Sequence, residues 1–329
     1  MGNVKRVGIA GTGSYLPERV VPNTYFEEFV ETSDEWIVQR TGIKERRWAN
    51  EKETNSAMCT EASKRALENA GLQASDIDAV VIGTVSPDKM LPGVSPLVQA
   101  NLGIENCATF DVIAACNGFL TALITGYAMV ASGTAKRVLA LGAERLSSFV
   151  DMQDRGSCIL FGDGAGAVVL SDFEECKQGE IIRTQLRSDG TGKDFIQMES
   201  GGSDNPPSHD TVEAREHFIH VRGREVYRFA VSTMSKVVGD MLEGYDQDEL
   251  GLVVPHQVNL RIIDAAVERL GIPPEKVFIN IQKYGNTSAA TVPIALDEAN
   301  REGRLESGKL VVMAAFGAGL TWGGALVRW

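Results

Sequence analysis

The stretch Thr109-Phe110-Asp111-Val112-Ile113-Ala114-Ala115-Cys116-Asn117-Gly118-Phe119-Leu120 decides how this chain reads. A short β-type run, 109–112, passes through small residues to a cysteine. A long apolar segment follows that reads as a helix to about Gly133. Strand, turn and buried helix in that order make an α/β unit with a thiol at the helix N-terminus. Unpaired N–H groups and the positive end of the helix dipole favour the thiolate there. A small buried core cysteine has the same local surroundings, so the rest of the chain has to decide.

The chain has 329 residues, enough for two domains or one large α/β unit with a sizeable core. No segment has eighteen consecutive apolar residues, so no membrane span is expected. The first residues carry no apolar leader region, and Arg6 stands where a myristoylation signal wants Ser or Thr. Five cysteines, odd in number and without C-x-x-C spacing, point to reduced thiols in a cytoplasmic protein rather than disulfides or a zinc site. A net charge of −12 argues against nucleic acid as a main partner.

Glycines punctuate the pattern. A strand at 4–10 ends in Gly11-Thr12-Gly13, read as a turn. Leu16 stands where a dinucleotide motif needs its third glycine. The segment 25–38 reads as helical, interrupted at Thr32-Ser33-Asp34, where a new helix is capped. Helices are expected at 56–70, 95–102, 116–132, 225–242, 260–270 and 286–302, the last kinked by Pro293. Strands are expected at 77–83, 109–112, 138–142, 250–254, 277–281, 309–316 and 322–328. A glycine turn and closing strand occupy 160–170, and 174–216 reads as a connection plus a polar excursion.

The order of elements repeats. Ser75-Asp76-Ile77-Asp78-Ala79-Val80-Val81-Ile82 parallels Asp248-Glu249-Leu250-Gly251-Leu252-Val253-Val254. A shift of 170 lays Asn286 on Cys116 and His256 on Ser86. Two pseudo-symmetric halves follow, 1–173 with the cysteine and 174–329 with the histidine and asparagine. Packed about a pseudo-twofold axis, they bring the helix starts together at the carboxyl ends of the strands, where α/β sheets bind ligands.

The chemistry of the three residues is specific. A thiolate at Cys116 takes an acyl group from a thioester, an exchange that is nearly balanced in energy. His256 and Asn286, as two neutral donors, stabilise the enolate oxygen that forms when a malonyl thioester loses carbon dioxide. The segment Phe316-Gly317-Ala318-Gly319 allows close backbone approach. It supplies an N–H, assigned to Ala318, that joins the N–H of Cys116 in an oxyanion hole. Taken singly, His256 is also a satisfied strand-end histidine, Asn286 an N-cap, and the glycine segment a plain turn.

Together with these, Asp34-Glu35-Trp36-Ile37, Arg40-Thr41-Gly42-Ile43, Leu160-Phe161-Gly162-Asp163-Gly164-Ala165-Gly166-Ala167, Pro255-His256-Gln257-Val258-Asn259-Leu260-Arg261 and Tyr284-Gly285-Asn286-Thr287-Ser288 give the chain a family likeness from first strand to last residue. It resembles β-ketoacyl-acyl-carrier-protein synthase III. The resemblance implies the thiolase fold, α/β with an αβαβα layered core, and a homodimer that needs no cofactor. It implies condensation of a short acyl-CoA with malonyl-acyl-carrier-protein, the first step of fatty acid biosynthesis. Cys116 is then the nucleophile, with His256 and Asn286 assisting decarboxylation. Trp36 stacks on the CoA adenine with Arg155, and Arg40 lies near the phosphates or pantetheine. Phe161, Val226, Val258, Asn259 and Phe316 line the channel. Arg228, Arg261 and Arg269 dock the acidic carrier protein, and Leu91 gates the partner subunit's acyl pocket. Val258, where the family usually has alanine, implies a narrower tunnel.

Degradative thiolases need a second catalytic cysteine late in the chain, and none follows Cys176. Elongating synthases use two histidines, and Asn286 holds the second place. The nearest rival is a relative that condenses acyl-CoA in secondary metabolism, such as a polyketide or quinolone starter enzyme. A non-condensing acyl-binding protein would need a pocket but not the His–Asn pair.

Overall fold

A computed structural model describes residues 4–329; the leader and lipid-anchor reading of residues 1–3 lies outside them. Nine strands form one mixed sheet: β1 (Val7–Tyr15), β2 (Ala79–Gly83), β3 (Ala108–Val112), β4 (Arg137–Arg145), β5 (Asp163–Asp172), β6 (Glu180–Ser188), β7 (Leu250–Pro255), β8 (Leu310–Gly317) and β9 (Thr321–Arg328). Their order is β7-β8-β9-β6-β1-β5-β4-β2-β3. Read from the middle outward, β1-β5-β4-β2-β3 and β6-β9-β8-β7 run in matching sequence. A single residue pair, Gly8 with Glu180, joins β1 to β6.

The apolar residues sort into layers. Helices Asn55–Ala70 and Val94–Leu102 cover one face of β2, β4 and β5, burying Met58, Ala62, Val94 and Val98. Helices Gly223–Leu242 and Leu260–Arg269 cover β7, β8 and β9 through Met234, Val237, Met241 and Ile263. Between the two halves of the sheet lie Gly118–Ser132 and Thr291–Arg301. Phe119, Leu123, Ala295 and Leu296 there pack with strand residues of both halves. Segment Ala115–Ser132 has a mean hydropathy of 1.3, long and apolar enough to cross a membrane, but half of it is buried inside this middle layer.

Several expectations change. Gly11 and Gly13 lie inside β1, and Gly164 and Gly166 inside β5, not in turns. A methyl at Gly11 or Gly13 would collide with the backbone of helix Asn55–Ala70, which rides directly on the strand. The segment 174–216 contains β6, a full strand of the sheet. The expected strand at 277–281 reduces to a bridge between Val253 and Val277. Pro293 sits in the first turn of Thr291–Arg301, where its missing N–H costs nothing, so it makes no kink. The repeat register also moves. The 3-10 turns before the two middle helices start at Ala115 and Ser288, and the helices at Gly118 and Thr291, a shift of 173 rather than 170. Cys116 therefore lies within its turn, whereas Asn286 lies just before the other.

Candidate active site

The two 3-10 turns meet at the interface of the halves. Each opens with a non-glycine residue in left-handed backbone, Ala115 at φ 46° and Ser288 at φ 49°. Such conformations cost about 1–3 kcal/mol and persist where the surroundings fix them. Here the fixing is steric: a methyl at Gly83 would strike the Gly118 backbone, and one at Gly142 the Ala289 carbonyl. β2 and β4 thus press directly on the two helix starts.

Cys116, His256 and Asn286 line one cavity of about 290 Å³. Phe161, Val226, Val258, Asn259, Phe316 and Ala318 line it too, so every channel residue expected from the sequence is present. Lining residues that the sequence did not point to include Leu146, Leu160, Ile196, Met198, Ile219 and Val221. Ile196 and Met198 come from the excursion and Ile219 and Val221 from the segment just after it, and the two-stranded sheet Ile196–Gln197 with His220–Val221 roofs the cavity. Arg215 pairs with Asp151, and the Ile219 N–H donates to the Phe149 carbonyl at 3.0 Å, tying that roof down. The alternation of Ile196 with Met198 and Ile219 with Val221 was the available signal, too short to stand out.

The polar groups are held in definite states. His256 follows β7 and is wholly buried. Its N–H donates to the Ala314 carbonyl at 2.8 Å, and its ring meets Phe316 edge-on at 5.5 Å between centroids. Burial pulls its pKa down to about 3, so the ring is neutral. Nδ1 is 2.6 Å from the Thr291 hydroxyl, and Nε2 has no partner among the described residues. The Asn286 side-chain oxygen accepts the Ser288 N–H at 2.8 Å, which turns its amide nitrogen out as a donor. Both are thus neutral hydrogen-bonding groups.

The thiol differs from expectation. Cys116 is half-buried, and burial pushes its pKa up to about 12. A hydrogen bond from Ser288 opposes this, and the Glu144 charge adds to it. Desolvation therefore outweighs the helix N-terminus here. Gly317 abuts the Cys116 N–H, close enough that a methyl there would overlap it, which sets the Phe316–Ala318 backbone beside the sulfur.

The remaining residues lie outside the cavity. Trp36 sits in helix Asp34–Thr41, which Ser33 caps by accepting the Trp36 N–H at 3.1 Å. Two exposed guanidinium groups flank its ring, Arg155 at 4.9 Å and Arg40 at 5.6 Å. Asn259 links this platform to the cavity by donating to the Arg40 carbonyl at 3.0 Å. Arg228, Arg261 and Arg269 are exposed on the two helices that cover β7–β9. Leu91 is 87% exposed, beside Met90 and Ile113 at 80% and 85%, near the edge strand β3 and away from this chain's own cavity.

Known proteins give the same picture. Residues 110–190 match the family described as 3-oxoacyl-[acyl-carrier-protein (ACP)] synthase III, and residues 242–329 its C-terminal part. A β-ketoacyl-[acyl-carrier-protein] synthase III of Caldanaerobacter subterraneus is 47% identical over 324 residues, 98% of this chain and 97% of that one. The crystal structure of 3-oxoacyl-[acyl-carrier-protein] synthase III from Aquifex aeolicus superposes with a TM-score of 0.89 at 45% identity, covering 98% of this chain and 100% of that one. A priming β-ketosynthase from the R1128 polyketide pathway superposes with a TM-score of 0.90 at 37% identity, covering 99% and 97%. The layered αβαβα core is that of the thiolase fold, and the chain belongs to the β-ketoacyl-acyl-carrier-protein synthase III family.

Proposed function

We propose that this chain condenses a short acyl-CoA with malonyl-acyl-carrier-protein, releasing CoA and carbon dioxide and giving 3-oxoacyl-acyl-carrier-protein, the step that initiates fatty acid biosynthesis. The observation that carries this reading is the convergence of a thiol, a neutral imidazole and an oriented amide donor on one apolar cavity. Cys116 attacks the acyl thioester, and its carbonyl oxygen rests on the N–H groups of Cys116 and Ala318 as CoA departs. The malonyl thioester then loses carbon dioxide. His256 and Asn286 stabilise the enolate oxygen, and the enolate carbon attacks the acyl group on Cys116. Carbon–carbon bond formation expels the Cys116 thiolate and closes the cycle. The thioesters supply all the chemistry, so no cofactor enters the scheme.

Trp36 takes the adenine, with Arg155 over the same ring and Arg40 toward the phosphates. Arg228, Arg261 and Arg269 form the basic docking surface for the acidic carrier protein, on a chain whose overall charge is −12. The exposed edge of β3 with Ile113, Met90 and Leu91 suits a homodimer, in which Leu91 reaches the partner's acyl pocket. The halves divide at 173/174, and the unpaired cysteines fit a cytoplasmic enzyme.

The test uses intact mass after incubation with labelled acetyl-CoA, then a panel of acyl-CoA primers with malonyl carrier protein as acceptor. Cys116→Ala forms no adduct; His256→Ala and Asn286→Ala form the adduct but release no carbon dioxide. A normal adduct on Cys116→Ala sinks the assignment. Turnover only with primers foreign to fatty acid synthesis moves the chain to secondary metabolism.

A further inference from the structure

Behind the thiol lies a carboxylate that none of these steps uses. Glu144 stands near the end of the apolar strand β4 and is wholly buried. Four donors converge on it. The hydroxyls of Ser86 and Thr84 donate to Oε2 at 2.5 and 3.2 Å, and the Val85 N–H reaches both oxygens at 3.2 and 3.3 Å. Ser288 donates its hydroxyl to Oε1 at 3.3 Å. The flanking groups fix this direction. Asn55 and the Ser86 N–H donate to the Thr84 oxygen at 3.0 and 3.1 Å, and the Arg145 N–H donates to the Ser86 oxygen at 2.8 Å. Both hydroxyl protons are thereby directed at the carboxylate. A site built only of donors suits an ionised carboxylate. Burial nevertheless pushes its pKa up to about 7.

Ser288 stands between this carboxylate and Cys116. Its 3-10 turn packs on the one that carries Cys116, it lines the same cavity as the thiol, and its hydroxyl acts to hold the thiol's pKa down. A serine hydroxyl has one proton, and here it has an acceptor on each side. The titratable groups facing Glu144 are Cys116 from the turn and Cys59 from helix Asn55–Ala70, both of which its charge pushes up.

We propose that Glu144 is a positioning residue that receives the Cys116 proton through Ser288 when the enzyme is acylated. The S–H bond of Cys116 breaks and its proton passes to the Ser288 oxygen, while the Ser288 proton passes to Glu144. Thiolate and neutral carboxyl result. The thiolate forms its bond to the acyl carbon, the bond from that carbon to the CoA sulfur breaks, and the CoA thiolate takes the proton back along the same hydroxyl. The inference rests on Cys116 as the acyl acceptor.

The test measures the rate of acyl-enzyme formation from acetyl-CoA by quenched intact mass, across neutral pH, with peptide mapping of the adduct. Wild type, Glu144→Gln, Glu144→Asp, Ser288→Ala and His256→Ala are compared. Wild type gains rate as pH rises through about 7. Glu144→Gln and Ser288→Ala lose on the order of 100-fold in the saturated rate, with little change in KM. Glu144→Gln also loses the rise near neutrality, and Glu144→Asp recovers most of the rate. A wild-type rate in Glu144→Gln overturns the proposal, as does an unaltered pH profile or a loss that aspartate does not repair. Loss of the rise in His256→Ala alone assigns the proton to His256 instead. An adduct away from Cys116 overturns the underlying reading, whereas a Cys116 adduct formed normally by Glu144→Gln overturns only this one.

Discussion

The Thr291 hydroxyl lies 2.6 Å from Nδ1 of His256 and 2.9 Å from the Ser288 carbonyl oxygen. Its single proton decides the imidazole tautomer. Donated to Nδ1, it leaves Nε2 protonated and able to support an enolate; donated to Ser288, it leaves Nε2 a bare acceptor. Thr291→Val removes that control and strands a buried ring nitrogen, a cost of about 1–3 kcal/mol. We expect decarboxylation of malonyl carrier protein to fall on the order of tenfold or more, acylation to persist, and Thr291→Ser to restore decarboxylation. Separate assays of carbon dioxide release and acyl adduct check this.

Burial of His256 also sets an acid limit. Its pKa is about 3 in the folded chain against an ordinary 6.5, so between those values only the unfolded chain binds the proton. Stability from this group is complete above pH 6.5 and declines as pH falls toward 3, by up to about 1.4 kcal/mol per pH unit. Glu144 acts in the opposite sense. Its pKa is raised from 4.5 to about 7, so its contribution is complete below 4.5 and is lost as pH rises through 7. Urea denaturation against pH is expected to show a shallower acid decline in His256→Gln. The same series in Glu144→Gln is expected to lose the decline near neutrality.

Arg46 is wholly buried without a carboxylate partner among the described residues. It donates to the Val21 carbonyl at 3.2 Å, the Asn23 side chain at 2.8 Å and the Ile159 carbonyl at 2.5 Å, and stacks over Phe26 at 4.6 Å. Arg46→Met keeps the bulk but strands these acceptors, and is expected to cost about 3 kcal/mol. Arg46→Lys does not rescue it, because an ammonium cannot span the fork. Thermal and chemical unfolding measure both.

Gly142→Ala drives a methyl into the Ala289 carbonyl, in the turn that begins with Ser288. Overpacking costs about 1–3 kcal/mol. The displaced turn carries Ser288 and follows Asn286, so turnover is expected to fall well beyond the loss in stability. Comparing kcat with the melting temperature separates the two.

Local chemistry was legible in the sequence, and tertiary contact was not. The cap at Ser33 starts its helix as read, because capping depends on neighbours in sequence, whereas the helix runs past the expected end at 38 to Thr41. The strand glycines misled because their reason is a helix packed across them. β6, Glu-Ile-Ile-Arg-Thr-Gln-Leu-Arg-Ser, was missed because it is mostly half-buried and reads as polar. Cys116, His256 and Asn286 could be picked out by their places at strand ends and helix starts. Ser288 and Thr291 could not, since their partners come from distant strands. Glu144 did leave a signal: a lone carboxylate closing the run Val-Leu-Ala-Leu-Gly-Ala.

The contact between Gly317 and the Cys116 N–H also has a bearing on synthesis. Among the described strands β8 pairs only with β7 and β9, so the wall beside the sulfur is synthesised well after Cys116 itself. Until then Cys116 lacks its backbone cradle. A chain without β8 is therefore expected to carry a plain, unselective thiol. A chain ending before Leu310 is expected to react with iodoacetamide as an ordinary free cysteine does, whereas the full chain shields its sulfur.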